Sequence, residues 1–144
     1  MKDNMPMAEA LHRFVAAFSL QNLAKWDARL DGLAALDVGI IHHSSRTPGI
    51  TVGEVRRILD IPNSTLSSAV NRLERRGLVR RVINAEDRRS YGLVVTEKGL
   101  AVEEAHRALD QRLAELCCQA LPDEKQRALF MRTLERVARE LKQG

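Results

Sequence analysis

Residues 51–99 read TVGEVRRILDIPNSTLSSAVNRLERRGLVRRVINAEDRRSYGLVVTEKG, and this stretch decides the fold. Thr51-Val52-Gly53-Glu54 has the form of a capping box, in which Thr51 accepts from an unpaired amide of the first turn and Glu54 reaches back to the N–H of Thr51. Ile50 and Val55 supply the accompanying hydrophobic staple. The helix begun there is expected to end near Asp60-Ile61-Pro62. A second starts at Asn63 or Ser64 and runs to Arg76, where Gly77 terminates it. Beyond Gly77, residues 78–83 and 91–96 are rich in β-branched and aromatic side chains and predict a hairpin. Their connection, residues 84–90, is longer and more charged than a minimal two-residue turn needs. Two short helices joined tightly and followed by a hairpin are, in that order, the parts of a winged helix-turn-helix.

Working outward, Met7, Leu11, Val15, Phe18, Leu23, Trp26 and Leu30 recur at close to helical spacing and predict one long amphipathic helix up to Leu30, where Asp31-Gly32 interrupts it. A shorter helix is expected over residues 33–43, with Leu36, Ile40 and Ile41 inward, ending in the turn-rich run 44–49. On the other side, two long helices are expected over 97–121 and 123–143, divided by Pro122 and the acidic pair Asp123-Glu124. The expected fold is therefore mostly α with a small β-hairpin wing. It is one domain over residues 1–144: a winged helix-turn-helix part at 33–99, flanked by helical dimerisation parts at 1–30 and 100–144.

The composition supports one globular unit. The chain has 144 residues, 44% of them hydrophobic, with 8 Gly and 4 Pro, which excludes collagen-like and largely disordered classes. No apolar run approaches the roughly 18 residues that span a bilayer, so neither a membrane segment nor an export signal is expected. Cys117 and Cys118 are neighbours and cannot staple distant parts of the chain, and a cytoplasmic protein with buried, inert thiols is expected. The net charge of +4 is unevenly placed: residues 1–50 hold 5 basic and 5 acidic groups, residues 51–100 hold 10 and 6, and residues 101–144 hold 8 and 8. The whole surplus lies in the predicted winged helix, which points to a polyanionic partner.

On the helix from Ser64, Leu66, Ala69, Val70 and Leu73 form an i, i+3, i+4, i+7 stripe for burial. The other face offers Ser64, Ser67, Ser68, Asn71, Arg72 and Arg75, small near the leading end and cationic toward the trailing end. A helix that enters a DNA major groove needs a narrow leading end and donors able to reach base edges or phosphates. A solvated helix face would look similar in isolation, but the capped partner helix before it and the basic hairpin after it favour the groove.

These residues resemble the MarR family of bacterial transcription regulators. Ser64-Thr65-Leu66-Ser67, then Val70-Asn71-Arg72-Leu73-Glu74-Arg75-Arg76-Gly77-Leu78-Val79, are similar to the family's recognition helix and its exit, and Asp87-Arg88-Arg89-Ser90 followed by residues 93–99 to its wing. The resemblance covers about Thr51 to Gly99, with the flanking helices agreeing only in length, order and amphipathicity. It implies a double-stranded DNA-binding regulator, a repressor by expectation, in which Ser64, Thr65, Ser67, Ser68, Asn71 and Arg72 face the major groove or its phosphates. Arg75 is placed with them. It also implies a wing arginine, Arg89 with Arg88 as substitute, that enters the minor groove while Asp87 holds its guanidinium. The narrow minor groove of A·T-rich DNA concentrates negative potential, which suits such a cation.

The apolar positions Leu100, Ala105, Leu109, Leu113, Leu116 and Ala120, and Leu129, Phe130, Leu134, Val137, Ala138 and Leu141, exceed what a small winged domain can cover, and with the N-terminal helix predict a homodimer. The resemblance implies the same, and further that a small aromatic effector releases the DNA. Phe14, Phe18, Trp26 and Ile40 are candidates to line its pocket, although plain core is the commoner meaning of such spacing. His106 and Asp110 stand at i, i+4, a usable metal spacing near His42 and His43 in type, but the histidine set is sparser than in the family's zinc sensors. No metal, cofactor or thiol-based sensing is expected. No nucleophile elbow, phosphate cradle or metal motif suggests an enzyme. The rival is a winged helix used to bind an acidic protein.

Overall fold

A computed structural model describes residues 5–18 and 25–143. Among the described residues the helices are α1 (Met5–Ala17), α2 (Ala35–Arg46), α3 (Val52–Leu59), α4 (Asn63–Arg75), α5 (Glu97–Ala120) and α6 (Glu124–Gln143), with a 3-10 turn at Ala28–Leu30. The strands are β1 (Ile50–Thr51), β2 (Val79–Ile83) and β3 (Tyr91–Val95). The chain divides into two compact units, one up to Arg107 and one from Ala108, so the boundary falls within α5.

The first unit is built round a core of Ile40 and Ile41 from α2, Val55 from α3, Leu66, Ala69, Val70 and Leu73 from α4, and Leu93 from β3, all buried. The four inward residues of α4 are those its periodicity picks out. α3 starts as its sequence dictates: Thr51 Oγ1 accepts from the Glu54 N–H at 3.2 Å, and Glu54 accepts from the Thr51 N–H at 2.8 Å. The Thr51 N–H, together with the Thr51 hydroxyl that donates to the same carboxylate oxygen at 2.7 Å, holds the Glu54 carboxyl below its ordinary range. Asp60 closes α3 in the left-handed region, φ 51°, which aspartate tolerates better than most residues, and Pro62 then caps the start of α4. Gly77 ends α4 with φ 70°.

The hairpin pairs Val79 with Val95 through to Ile83 with Tyr91. β1 adds to its free edge, Ile50 opposite Leu93 and Thr51 opposite Gly92, giving an antiparallel sheet of order β1-β3-β2. The third strand is absent from the expectation because a two-residue strand has no alternation to read. Gly99 lets the start of α5 seat on the sheet: a Cβ there would lie 2.1 Å from the Leu78 carbonyl oxygen. Thr96 completes that junction, its hydroxyl donating to the Gly77 carbonyl at 2.6 Å.

Three expectations need correction. The single helix to Leu30 is not formed: α1 stops at Ala17, and Leu30 belongs to a 3-10 turn that Asp27 opens by accepting from the Arg29 N–H at 2.9 Å. An aspartate carboxylate competing for that amide favours a fresh start over a continued helix. Leu23, also assigned to that helix, lies outside the described residues. α2 runs two to three residues later than expected, because Ser44 and Ser45 continue it; Ser44 is buried and the Ser45 hydroxyl donates to the His42 carbonyl at 2.8 Å. Finally, Cys117 and Cys118 are exposed, since the isolated chain leaves the end of α5 uncovered. Among the described residues no helix is long and apolar enough to cross a membrane.

Candidate nucleic-acid interface

α4 enters the site with Ser64, Thr65, Ser68, Asn71 and Arg75 exposed, while Ser67 and Arg72 are half-buried. No side chain caps its first turn, which leaves the small hydroxyls of Ser64 and Thr65 beside free amide donors at the positive end of the helix dipole. That is an arrangement suited to a phosphate oxygen.

The arginines that follow divide into two sets. Arg72 donates through Nη2 to Oδ1 of Asp37 at 2.5 Å and through Nε to Oδ2 at 3.4 Å. Asp37 is 1% exposed, and its Oδ2 also accepts from the Ala34 N–H at 2.9 Å, closing the first turn of α2. Arg72 is thus a strut between α2 and α4, which differs from the groove-facing role expected for it. Arg81 is a second strut. It pairs with Glu74, donates to Asn71 Oδ1 at 2.6 Å, and lies over the Tyr91 ring with its guanidinium carbon 5.0 Å from the centroid. One guanidinium therefore locks the wing to the recognition helix, and Asn71 faces it as well as solvent. Arg76 is a third, donating to the carbonyls of Gly32 and Asp31 at 2.9 Å each.

The remaining arginines, Arg75, Arg80, Arg88 and Arg89, are exposed. Arg75 makes one long bond, to the Asn71 carbonyl at 3.4 Å. The loop carrying Arg88 and Arg89 is held by its own backbone and polar side chains. Asn84 accepts from the Glu86 N–H at 3.0 Å and donates to the Ser90 hydroxyl at 3.0 Å, and the Ser90 N–H donates to the Asp87 carbonyl at 3.0 Å. Asp87 does not hold the Arg89 guanidinium as expected; its Oδ1 accepts from the Arg89 backbone N–H at 2.9 Å, the local turn that aspartate favours. It orders the backbone and leaves the cation outward.

The site is thus a helix face of hydroxyls and one arginine, with an ordered loop presenting two more. Arg80 and Arg81 were missed at the sequence level. Strand alternation is the signal that could have marked Arg80 as exposed, whereas the partners of Arg81 stand 7 and 10 residues away and could not be read.

A family model described as "MarR family" matches residues 31–90, the winged-helix part of the chain. Over that part, the chain is similar to the MarR family. The family is one of bacterial DNA-binding transcription regulators and not of enzymes. Solved MarR-like structures share the fold across nearly the whole chain. The crystal structure of Streptococcus pneumoniae FabT in complex with DNA is 21% identical, covers 98% of this chain and 99% of its own, and superposes with a TM-score of 0.84. The crystal structure of MarR is 24% identical over 99% and 98%, TM-score 0.64. The PcaV transcriptional regulator of Streptomyces coelicolor, in complex with its natural ligand, is 24% identical over 93% and 92%, TM-score 0.69. No curated protein matches the sequence. In this chain the four residues expected to line an effector pocket differ in setting: Ile40 is fully buried, whereas Phe14, Phe18 and Trp26 are exposed.

Proposed function

We propose that the chain binds double-stranded DNA as a homodimer and represses transcription from pseudo-palindromic sites. Ser64, Thr65, Ser67, Ser68, Asn71 and Arg75 of α4 meet the major groove and its phosphates, and Arg89, with Arg88 beside it, enters the minor groove. Arg72 and Arg81 act behind them as struts. The observation that carries this reading is the ordered wing loop. Its backbone is tied down by Asn84, Asp87 and Ser90 while Arg88 and Arg89 stand exposed, so inserting either cation costs little further ordering. FabT, a protein of the same fold, is known in complex with DNA.

The exposed apolar residues of α1 and α6 supply the dimer surface, and a two-fold axis then sets two recognition helices roughly one helical turn (~10 bp) apart. Release by a small aromatic effector completes the proposal; it rests on the resemblance, and a panel of such compounds that leaves duplex affinity unchanged would remove it.

The test is duplex affinity across a salt series, for the natural chain and for Arg89→Ala. Binding should fall steeply with salt through counterion release, and Arg89→Ala should weaken operator binding by about 1–3 kcal/mol with unaltered circular dichroism and mass. A flat salt response would instead favour an acidic protein partner.

A further inference from the structure

Beside its cations the hairpin carries an apolar pair that the groove contacts leave unused. Ile83 of β2 is 79% exposed and Tyr91 of β3 is 37% exposed, and the two are cross-strand partners in the last rung before the wing loop. Among the described residues of the winged part, 31–99, Ile58 is the only other large apolar side chain left exposed. Apolar residues scattered singly are ordinary on protein surfaces, whereas two side by side on an ordered hairpin make a patch.

The strand register gives the patch its direction. Side chains alternate along a strand, so Ile83 shares a face with Arg81, and Tyr91 stands opposite Ile83 on that same face. Arg81 turns toward α4, donating to Asn71 Oδ1 at 2.6 Å and pairing with Glu74, while its guanidinium lies over the Tyr91 ring. Ile83 and Tyr91 therefore occupy the side of the hairpin that meets α4, beyond the Arg81 contact and short of the loop that presents Arg88 and Arg89.

In B-form DNA a sugar–phosphate strand separates the major from the minor groove. A duplex that holds α4 in one groove and the wing loop in the next must carry that strand across the surface between them. The strand alternates phosphate oxygens, which favour cations and donors, with deoxyribose rings, whose carbon-bound hydrogens are apolar. Arg75 at one end of this surface and Arg88 and Arg89 at the other suit the phosphates, and the pair between them suits a sugar. Arg81 also neutralises the Glu74 carboxylate, which would otherwise repel the strand.

We propose that Ile83 and Tyr91 form a shoulder that packs on deoxyribose of the strand running between the two grooves. This shoulder, which presupposes the duplex-binding reading above, is blind to base sequence and insensitive to salt. Cationic contacts release counterions and so weaken as salt rises, whereas drying an isoleucine against a sugar releases none.

The full chain and its Ile83→Thr, Ile83→Val and Arg89→Ala variants are titrated against a fluorescent mixed-sequence duplex of about 30 base pairs, long enough for two half-sites, across a salt series. Ile83→Thr keeps the β-branch that the strand favours and replaces a hydrocarbon surface by a hydroxyl. It should weaken binding by about threefold to tenfold at every salt concentration, with an unchanged slope of log affinity against log salt. Arg89→Ala should instead flatten that slope by about one. Ile83→Val, still apolar, should bind as the natural chain does. Circular dichroism, melting temperature and mass in solution should be alike in all four proteins, since the exposed pair supports neither core nor dimer. Natural affinity in Ile83→Thr, or a loss that vanishes at high salt, would overturn the shoulder and leave duplex binding standing. A lowered mass in Ile83→Thr would give the pair to a second copy of the chain, and a natural chain that binds no duplex at low salt would overturn both readings.

Discussion

At the scale of the residue, Asp37 closes the first turn of α2 through the Ala34 N–H and fixes Arg72 of α4. Removing Arg72 strands a buried charge, so Arg72→Ala should cost about 2–3 kcal/mol of stability, read as a lowered denaturant midpoint. Its effect on DNA should be equal for operator and random duplex; a loss confined to operator would return Arg72 to base reading. His43 offers a pH prediction. Burial, and then the neighbouring His42 and Arg46, push its pKa below the ordinary 6.5. The unfolded chain therefore takes up this proton first, so the contribution is intact above pH 6.5 and is lost as pH falls below it. His43→Gln should flatten the decline in melting temperature on that acidic side. Neither role was legible in the sequence. Arg72 reads as a polar-face cation, and its partner lies 35 residues away on another helix.

At the scale of the element, local chemistry was legible. The capping box at Thr51 and Glu54, the stop at Gly77 and the inward stripe of α4 are all written within one or two turns of chain. Thr51→Ala should cost about 1 kcal/mol by thermal melt and leave the salt dependence of DNA binding unchanged, since the cap supports α3 and not the groove-facing side chains. Gly99 belongs to a different class. Its place in a helix-start signal is readable, but its closeness to the Leu78 carbonyl is not, because two elements must first meet. Gly99→Ala should destabilise by about 1–3 kcal/mol or more, and duplex affinity should fall with it as the seat of β2 shifts; wild-type stability would show that α5 can move away freely. The same limit bears on the arginine clamp that the family resemblance implied within the wing loop. Asp87 and Arg89 stand at the right spacing, yet the backbone amide is the nearer donor.

At the scale of the whole molecule, the apolar positions of the flanking helices were legible as a surplus. Leu129 is 59% exposed, Leu134 51%, Val137 50% and Leu141 78%, and every described residue of α1 is exposed too. Such faces in one small chain exceed what isolated soluble proteins leave to water. Leu134→Glu should shift the mass in solution from dimer to monomer and reduce DNA affinity, with far-ultraviolet circular dichroism largely retained. A dimeric Leu134→Glu would move the association surface elsewhere.

In the homodimer proposed above, helices finished by a second copy tie folding to supply. As cellular copy number falls, the uncovered rod α6 loses the contacts that hold it, and its melting point should drop with dilution. A regulator built this way would be cleared most readily when scarce, so its abundance sharpens its own occupancy of the genome.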